Sequence, residues 1–342
     1  MTGVENSGVR QVRQERSALA WAESPLQLLC VVEARHAGIV EPGTRVLCRP
    51  GLAALRRTRA ELRRLDLPEG LELATGDNPM PRPRSGETWM FGDAFSGRVQ
   101  LTWLTAGPAR VVLVDDGLAT IHLLELLAAE HPHPLLRARA RTGLGRRMLG
   151  LAAALRLRAA ARAGRLTVFT ALPVPAALAD AAAARGATIR THDFGWLRSQ
   201  PVAHPRPSER TVVLGTALVR NGLVHRDRYL DWLGRLGAEE PVAYYPHRRE
   251  EPADLDRIRR MPGVALREAG APVEMTLRDL EPGQRVLSLP STAVTSLRVL
   301  LAPRGVPVDA VEVPGDWWTP RATPDIRSHL QMFTRHDSGV AG

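Results

Sequence analysis

The most reactive-looking residues of the 342-residue chain are Asp115 and Asp116, which close the run Val111-Val112-Leu113-Val114-Asp115-Asp116-Gly117. Adjacent carboxylates repel, so one of them holds its proton more tightly and is poised as a base. The apolar run before them suits a strand buried on both faces, as in a parallel sheet. Ligands of open α/β sheets bind outside the carboxyl ends of the strands, where these acids would sit. The bland alternative is a strand end with an N-cap aspartate, common in any α/β protein. A third acid, Asp93, follows another strand in Gly92-Asp93-Ala94-Phe95-Ser96-Gly97. In the second half, His247 follows a strand directly, with Arg248 and Arg249 beside it. An imidazole with guanidinium neighbours can bind a phosphate and donate a proton to it. Ser291 and Thr292 lie where a strand hands over to a helix, a place suited to an anion. Gly215 and Thr216 form a similar loop after residues 211–214.

These groups need a frame. Strands are expected near residues 18–22, 45–48, 88–92, 111–114, 166–170 and 188–191, alternating with helical segments. A second series is expected near 211–214, 242–245, 264–266 and 285–288. Strands alternating with helices argue parallel, doubly wound sheets. Ser24, Pro25 and Gln27 carry a capping-box pattern that starts a helix over 25–37. The organisation read from this is a disordered polar segment 1–16, a Rossmann-like half 17–197 and a proline-rich linker 198–209. A second Rossmann-like half follows at 210–318, then a C-terminal helix and tail at 319–342, with the helix packed back on the first half. Two such halves facing each other would put acids and cations across one cleft.

Composition bounds the function. All 46 basic residues are arginine and the formal charge is +10, which favours anionic partners such as nucleotides, acidic glycans or lipid headgroups. No nucleic-acid motif appears, so nucleic acid is not expected as a partner. Cys30 and Cys48 sit in apolar contexts and read as buried thiols, and no dense ligand cluster suggests a metal. No apolar run reaches bilayer length, so a cytoplasmic protein is expected. Residues 134–165 are almost entirely Ala, Leu, Arg and Gly, with Arg137, Arg139, Arg141, Arg146, Arg147, Arg156, Arg158 and Arg162. They read either as a docking face for anionic lipid at the inner membrane surface or as a solvated helix face.

In their order, these motifs resemble bacterial sialyltransferases of glycosyltransferase family 52 and the related polysialyltransferase-like proteins. The likeness rests on Asp115-Asp116-Gly117, Tyr245-Pro246-His247-Arg248 and Ser291-Thr292-Ala293. Ser24-Pro25-Leu26-Gln27, Gly92-Asp93-Ala94-Phe95-Ser96-Gly97 and Pro272-Val273-Glu274 add to it, so it spans about residues 18 to 301. One departure stands out: Arg248 follows the histidine where the family has proline. The resemblance implies a GT-B architecture and a CMP-activated sugar, usually CMP-sialic acid, used without cofactor or metal. It implies a glycan or glycolipid acceptor, and a homodimer is compatible with it. It gives the base role to Asp115 or Asp116 and departure of CMP to His247. Gly215, Thr216, Arg248, Ser291 and Thr292 would line the donor, and Glu274 would bind the ribose hydroxyls. Ser24, Gln27 and Asp93 would stand on the acceptor side. A UDP- or GDP-sugar transferase and an inactive glycan-binding relative are the competing readings.

Overall fold

The computed structural model describes residues 17–75, 79–137, 143–202, 205–268 and 271–331. The segment 1–16, expected to be disordered, lies outside the described residues, as do Arg139 and Arg141.

Two parallel sheets organise the chain. The first takes β1 (Ala18–Ala22), β2 (Thr44–Cys48), β3 (Leu71–Leu73), β4 (Thr88–Phe91), β5 (Arg110–Val114), β6 (Leu166–Thr170) and β7 (Thr188–Thr191) in the order β3-β2-β1-β4-β5-β6-β7. The second takes β8 (Thr211–Leu214), β9 (Val242–Tyr245), β10 (Val264–Leu266), β11 (Arg285–Ser288) and β12 (Val308–Ala310) in the order β10-β9-β8-β11-β12. The central strands β4, β5, β8 and β9 are almost wholly buried and rich in Val, Leu, Trp and Tyr, as strands covered on both faces must be. Both orders reverse once, between β1 and β4 and between β8 and β11, which is the doubly wound Rossmann pattern. The architecture is therefore GT-B in form: two Rossmann-like α/β sheets whose strand ends face one another.

The first sheet is covered by α1 (Pro25–His36), α2 (Ala53–Leu62), α3 (Gly97–Thr105), α4 (Leu118–Ala128), α5 (Leu144–Arg162) and α6 (Ala176–Ala184). A short α7 (Gly195–Ser199) leads out of it. The second carries α8 (Arg226–Glu239), α9 (Pro252–Arg259), α10 (Val273–Leu277), α11 (Thr292–Leu301) and α12 (Pro324–Gln331). Most elements lie within a residue or two of the sequence expectation. The edge strands β3 and β12 were not expected, although β10, an edge strand of the same length, was.

Three features tie the halves. One continuous apolar core includes Leu28, Phe194 and Trp196 of the first half and Val212, Leu297 and Val308 of the second. The buried Glu33 carboxylate accepts the backbone N–H groups of Trp196 and Leu197 at 3.1 and 2.9 Å, so it caps α7 from α1. Burial pushes Glu33 up to about 7 despite those two bonds. The proline-rich connection is not a loose tether. Gln200 accepts the Asp66 N–H at 2.9 Å, and Glu209 receives Arg267 at 2.7 and 2.6 Å.

The C-terminal helix corrects one expectation. Leu330 and Ile326 of α12 join the core of the second half with Leu233 and Trp317, not the first half. The route there is fixed by the Thr319 N–H, which donates to Leu223 O at 3.0 Å, and by the Val224–Trp318 bridge. Bonded this close to the second sheet, the following helix packs on that half.

Candidate active site

On the first half, the groups at the ends of β1, β4 and β5 converge at the order reversal. Ser24 caps α1, its hydroxyl accepting the Gln27 N–H at 3.2 Å, while Gln27 Oε1 accepts the Glu23 N–H at 2.7 Å. The capping-box side chain thus reaches one residue further back than expected. Gly92 makes this possible, because a Cβ there would lie 2.3 Å from Gln27 Cγ. Asp93 is buried, accepts the Phe95 N–H at 2.9 Å and pairs with Arg137.

The two adjacent acids have separate environments. Asp115 is 2% exposed. Its carboxylate accepts Thr120 Oγ1 and Thr170 Oγ1 at 2.8 Å each and the Ala171 N–H at 2.9 Å. It stitches β5 to β6 and to the start of α4, and both of its oxygens are engaged. Asp116 is half-buried and carries only a long contact from Ser24 Oγ, 3.4 Å, and a hydrogen bond with Gln27. Burial and then the Asp93 charge push it up to about 7, against the pull of Gln27 and Arg137. A carboxylate with that affinity for a proton is suited to take one from a bound hydroxyl.

On the second half, Gly215 brings the β8 and β9 ends together. A Cβ on it would stand 2.4 Å from Glu250 Oε1 and 2.5 Å from His247 N. Thr216 is buried; its N–H donates to Glu250 Oε1 at 2.7 Å and its hydroxyl accepts the Leu218 N–H at 3.1 Å. Glu250, which the sequence reading missed within the polar run after His247, also accepts the Tyr244 hydroxyl at 2.7 Å. Burial lifts Glu250 to about 7. It organises the loop from beneath, and no pattern in the sequence marks that role.

His247 Nδ1 accepts the Arg249 N–H at 3.1 Å, so the neutral ring carries its proton on Nε2. Burial, then Arg248 and Arg249, lower it to about 4. This corrects the expectation of an imidazole titrating near neutrality: before an anion binds, His247 is a neutral N–H donor. Ser291 caps α11 by position only. Its hydroxyl makes no bond to the helix and lies 3.4 Å from Ser288 Oγ, leaving the first N–H groups of α11 without a side-chain cap. Glu274 is 5% exposed, with Ser296 Oγ donating to it at 2.6 Å. Burial raises it, and its charge acts on Cys30 of α1. It sits enclosed near the boundary of the halves, with almost no open face for a ribose.

The halves meet at this place. The Asp116 charge acts on Arg248 from the opposite side. Gly117, in a positive-φ conformation (φ 69°), lies so close to Thr292 that a Cβ would stand 2.3 Å from its Cγ2. The arrangement can deprotonate a hydroxyl from one side and stabilise an anionic leaving group from the other. Among the described residues no three His, Cys, Asp or Glu side chains gather to hold a metal ion. Among them no helix is long and apolar enough to cross a membrane.

No protein-family model and no curated protein matches the chain. Solved structures similar to it include a UDP-glucose:anthocyanidin 3-O-glucosyltransferase in complex with UDP, at 11% identity and TM-score 0.44, covering 95% of this chain and 91% of the other. UGT2 of Phytolacca americana, complexed with UDP-2-fluoroglucose and pterostilbene, shares 13% identity at TM-score 0.48, over 93% and 83% of the two chains. A UDP-glucosyltransferase from Polygonum tinctorium capable of glucosylating indoxyl shares 11% identity at TM-score 0.46, over 86% and 80%.

Proposed function

We propose that the protein is an inverting, metal-independent glycosyltransferase that moves a sugar from a nucleotide donor to a hydroxyl of a glycan or glycolipid. The observation that carries this is Asp116: a carboxylate with a proton affinity near neutrality, set across a Rossmann–Rossmann boundary from Arg248, His247 and the uncapped start of α11. Asp116 takes the acceptor proton. The attacking oxygen displaces the nucleotide in one step through an oxocarbenium-like state, which inverts the anomeric centre. Arg248, the His247 Nε2–H and the α11 N–H groups stabilise the charge that builds on the departing phosphate. Once a phosphate lies against Nε2, its charge raises the imidazole pKa and allows proton donation. Ser24, Gln27 and Asp93 with Arg137 stand on the acceptor side.

For the donor, the motif order favours a CMP-linked sialic acid or related nonulosonic acid. A UDP-sugar is the second reading; UDP and UDP-2-fluoroglucose are bound in two of the solved structures similar in outline. Calorimetric titration with CMP, UDP and GDP decides between them: the reading of a CMP-sugar stands if CMP alone saturates. Incubation with CMP-sialic acid should release CMP from the wild type and not from Asp116→Asn supplied with an acceptor. Binding of nucleotide with no turnover of any donor would make the protein a glycan-binding relative instead.

A further inference from the structure

Helix α5 buries a face of alanine and leucine together with Arg158. Three of its five arginines point inward: Arg146 donates to Phe95 O at 2.7 Å and also bonds Gln100, and Arg158 donates to Ala129 O and Glu130 O at 2.7 and 3.0 Å. Arg156 donates to Leu104 O at 2.5 Å and covers the Trp103 ring at 5.0 Å. Arg146, Arg156 and Arg158, expected to face solvent or lipid, therefore hold backbone carbonyls, whereas Arg147 and Arg162 are exposed. The outward face carries large apolar side chains beside these two arginines. Leu144, Met148 and Leu155 are 76%, 58% and 50% exposed, at spacings of four and seven that place them on one stripe. On α3, which packs against α5, Leu101 is 59% exposed. Four of the five large hydrophobic residues exposed among the described residues are thus on these two helices. Scattered single apolar residues need no explanation, but a cluster does.

We infer that the α3–α5 face is a docking surface for an anionic lipid bilayer. Charge identifies the occupant. Residues 131–179 contain nine arginines and no acid, and α3 contains Arg98 and no acid. Arg98 and Arg147 are exposed beside the apolar stripe. Apolar side chains flanked by arginines are the composition of an interfacial helix. A second copy of the same face would bring guanidinium groups together without counter-charges, whereas anionic headgroups supply them. The face also adjoins the candidate site: α3 begins just past Asp93, and Arg146 of α5 bonds the Phe95 carbonyl in the intervening loop. A bilayer held there presents membrane-borne acceptors to the Asp116 side. The docking surface itself stands independently of the transferase reading.

The test is co-sedimentation of the full chain with vesicles of phosphatidylcholine alone and with one-third phosphatidylglycerol, in the absence of any sugar donor. The anionic vesicles should bind at least about tenfold better, less so at high salt. Leu144→Glu/Met148→Glu/Leu155→Glu should abolish binding while its circular dichroism and melting temperature stay at wild-type values. Since all three side chains are at least half exposed, the variant is expected to fold; Arg98→Glu/Arg147→Glu is the second variant and should lose only the anionic preference. Equal affinity for both vesicle types, no affinity for either, or a wild-type dimer in light scattering that the triple variant converts to monomer would each overturn the inference. Because no donor is present, these outcomes are separate from the failure of CMP or UDP to bind.

Discussion

Asp115 and Asp116 are the same chemical group one residue apart, and their surroundings separate them. Asp115 has three donors, two threonine hydroxyls and one backbone N–H; Asp116 has a long Ser24 contact and a Gln27 bond, and a pKa near 7. Asp116→Asn should reduce transfer by about 10²–10⁴-fold, the usual worth of a general base, with nucleotide affinity kept. Asp115→Asn should instead lower the melting temperature, read by calorimetry, because one of its oxygens becomes an amide facing donors. The pH dependence has a definite sign. Only ionised Asp116 accepts a proton, so kcat/KM should rise with pH through about 7. The same shift acts on stability in the opposite direction. A carboxyl raised in the folded state stabilises it fully below its unfolded value and loses that contribution as pH rises through about 7. Asp116→Asn should therefore melt higher than wild type at pH 8, with the gap closing below pH 4; an unchanged gap would show that Asp116 is not perturbed. His247, lowered to about 4, should contribute no inflection near 6.5 to the kcat/KM profile of the free enzyme.

At the scale of elements, the contact between the β5–α4 turn and the start of α11 is the sharpest constraint. Gly117 adopts φ 69° and ψ −142°, a conformation costing a residue with a Cβ about 1–3 kcal/mol. A Cβ there would also run into Thr292. Gly117→Ala should lose activity and stability together. Adding Thr292→Gly, which removes both the Cγ2 and the Cβ that the new methyl would meet at 2.3 and 2.8 Å, should recover activity in part and leave the backbone strain. If the double variant recovers nothing, the closeness of the two elements has no bearing on turnover. Gly92→Ala should act on the other wall by displacing Gln27, and so alter the pH profile that Gln27 helps set through Asp116.

At the scale of the molecule, one apolar cluster runs through both halves, beside one confined to each. Thermal unfolding should therefore appear as one transition with matching calorimetric and van't Hoff enthalpies. Two separated peaks would mean that the halves fold apart. Trp196, fully buried where the first half gives way to the connection, should cost about 3–5 kcal/mol on truncation to alanine, measured by denaturant titration. Glu33, which caps α7 at the same place, links that junction to α1, so Glu33→Ala should loosen the two halves as well as destabilise α1.

The sequence by itself determined the alternation of strands and helices, and with it the positions of Ser24, Asp93, Asp116, Gly215, His247 and Ser291 at strand ends. It could do so because hydrophobic periodicity and strand-terminating polar residues are local signals. Tertiary structure alone decided that the two aspartates have separate surroundings, that His247 is neutral, that Glu250 supports the Gly215–Thr216 loop and that Glu274 is enclosed. It also turned Arg146, Arg156 and Arg158 of α5 inward and sent α12 to the second half. Each of these depends on desolvation and on partners far away in the chain, such as Thr170 for Asp115 and Thr292 for Gly117. Burial and long-range pairing set proton affinities and side-chain direction, and neither is written in the spacing of residues.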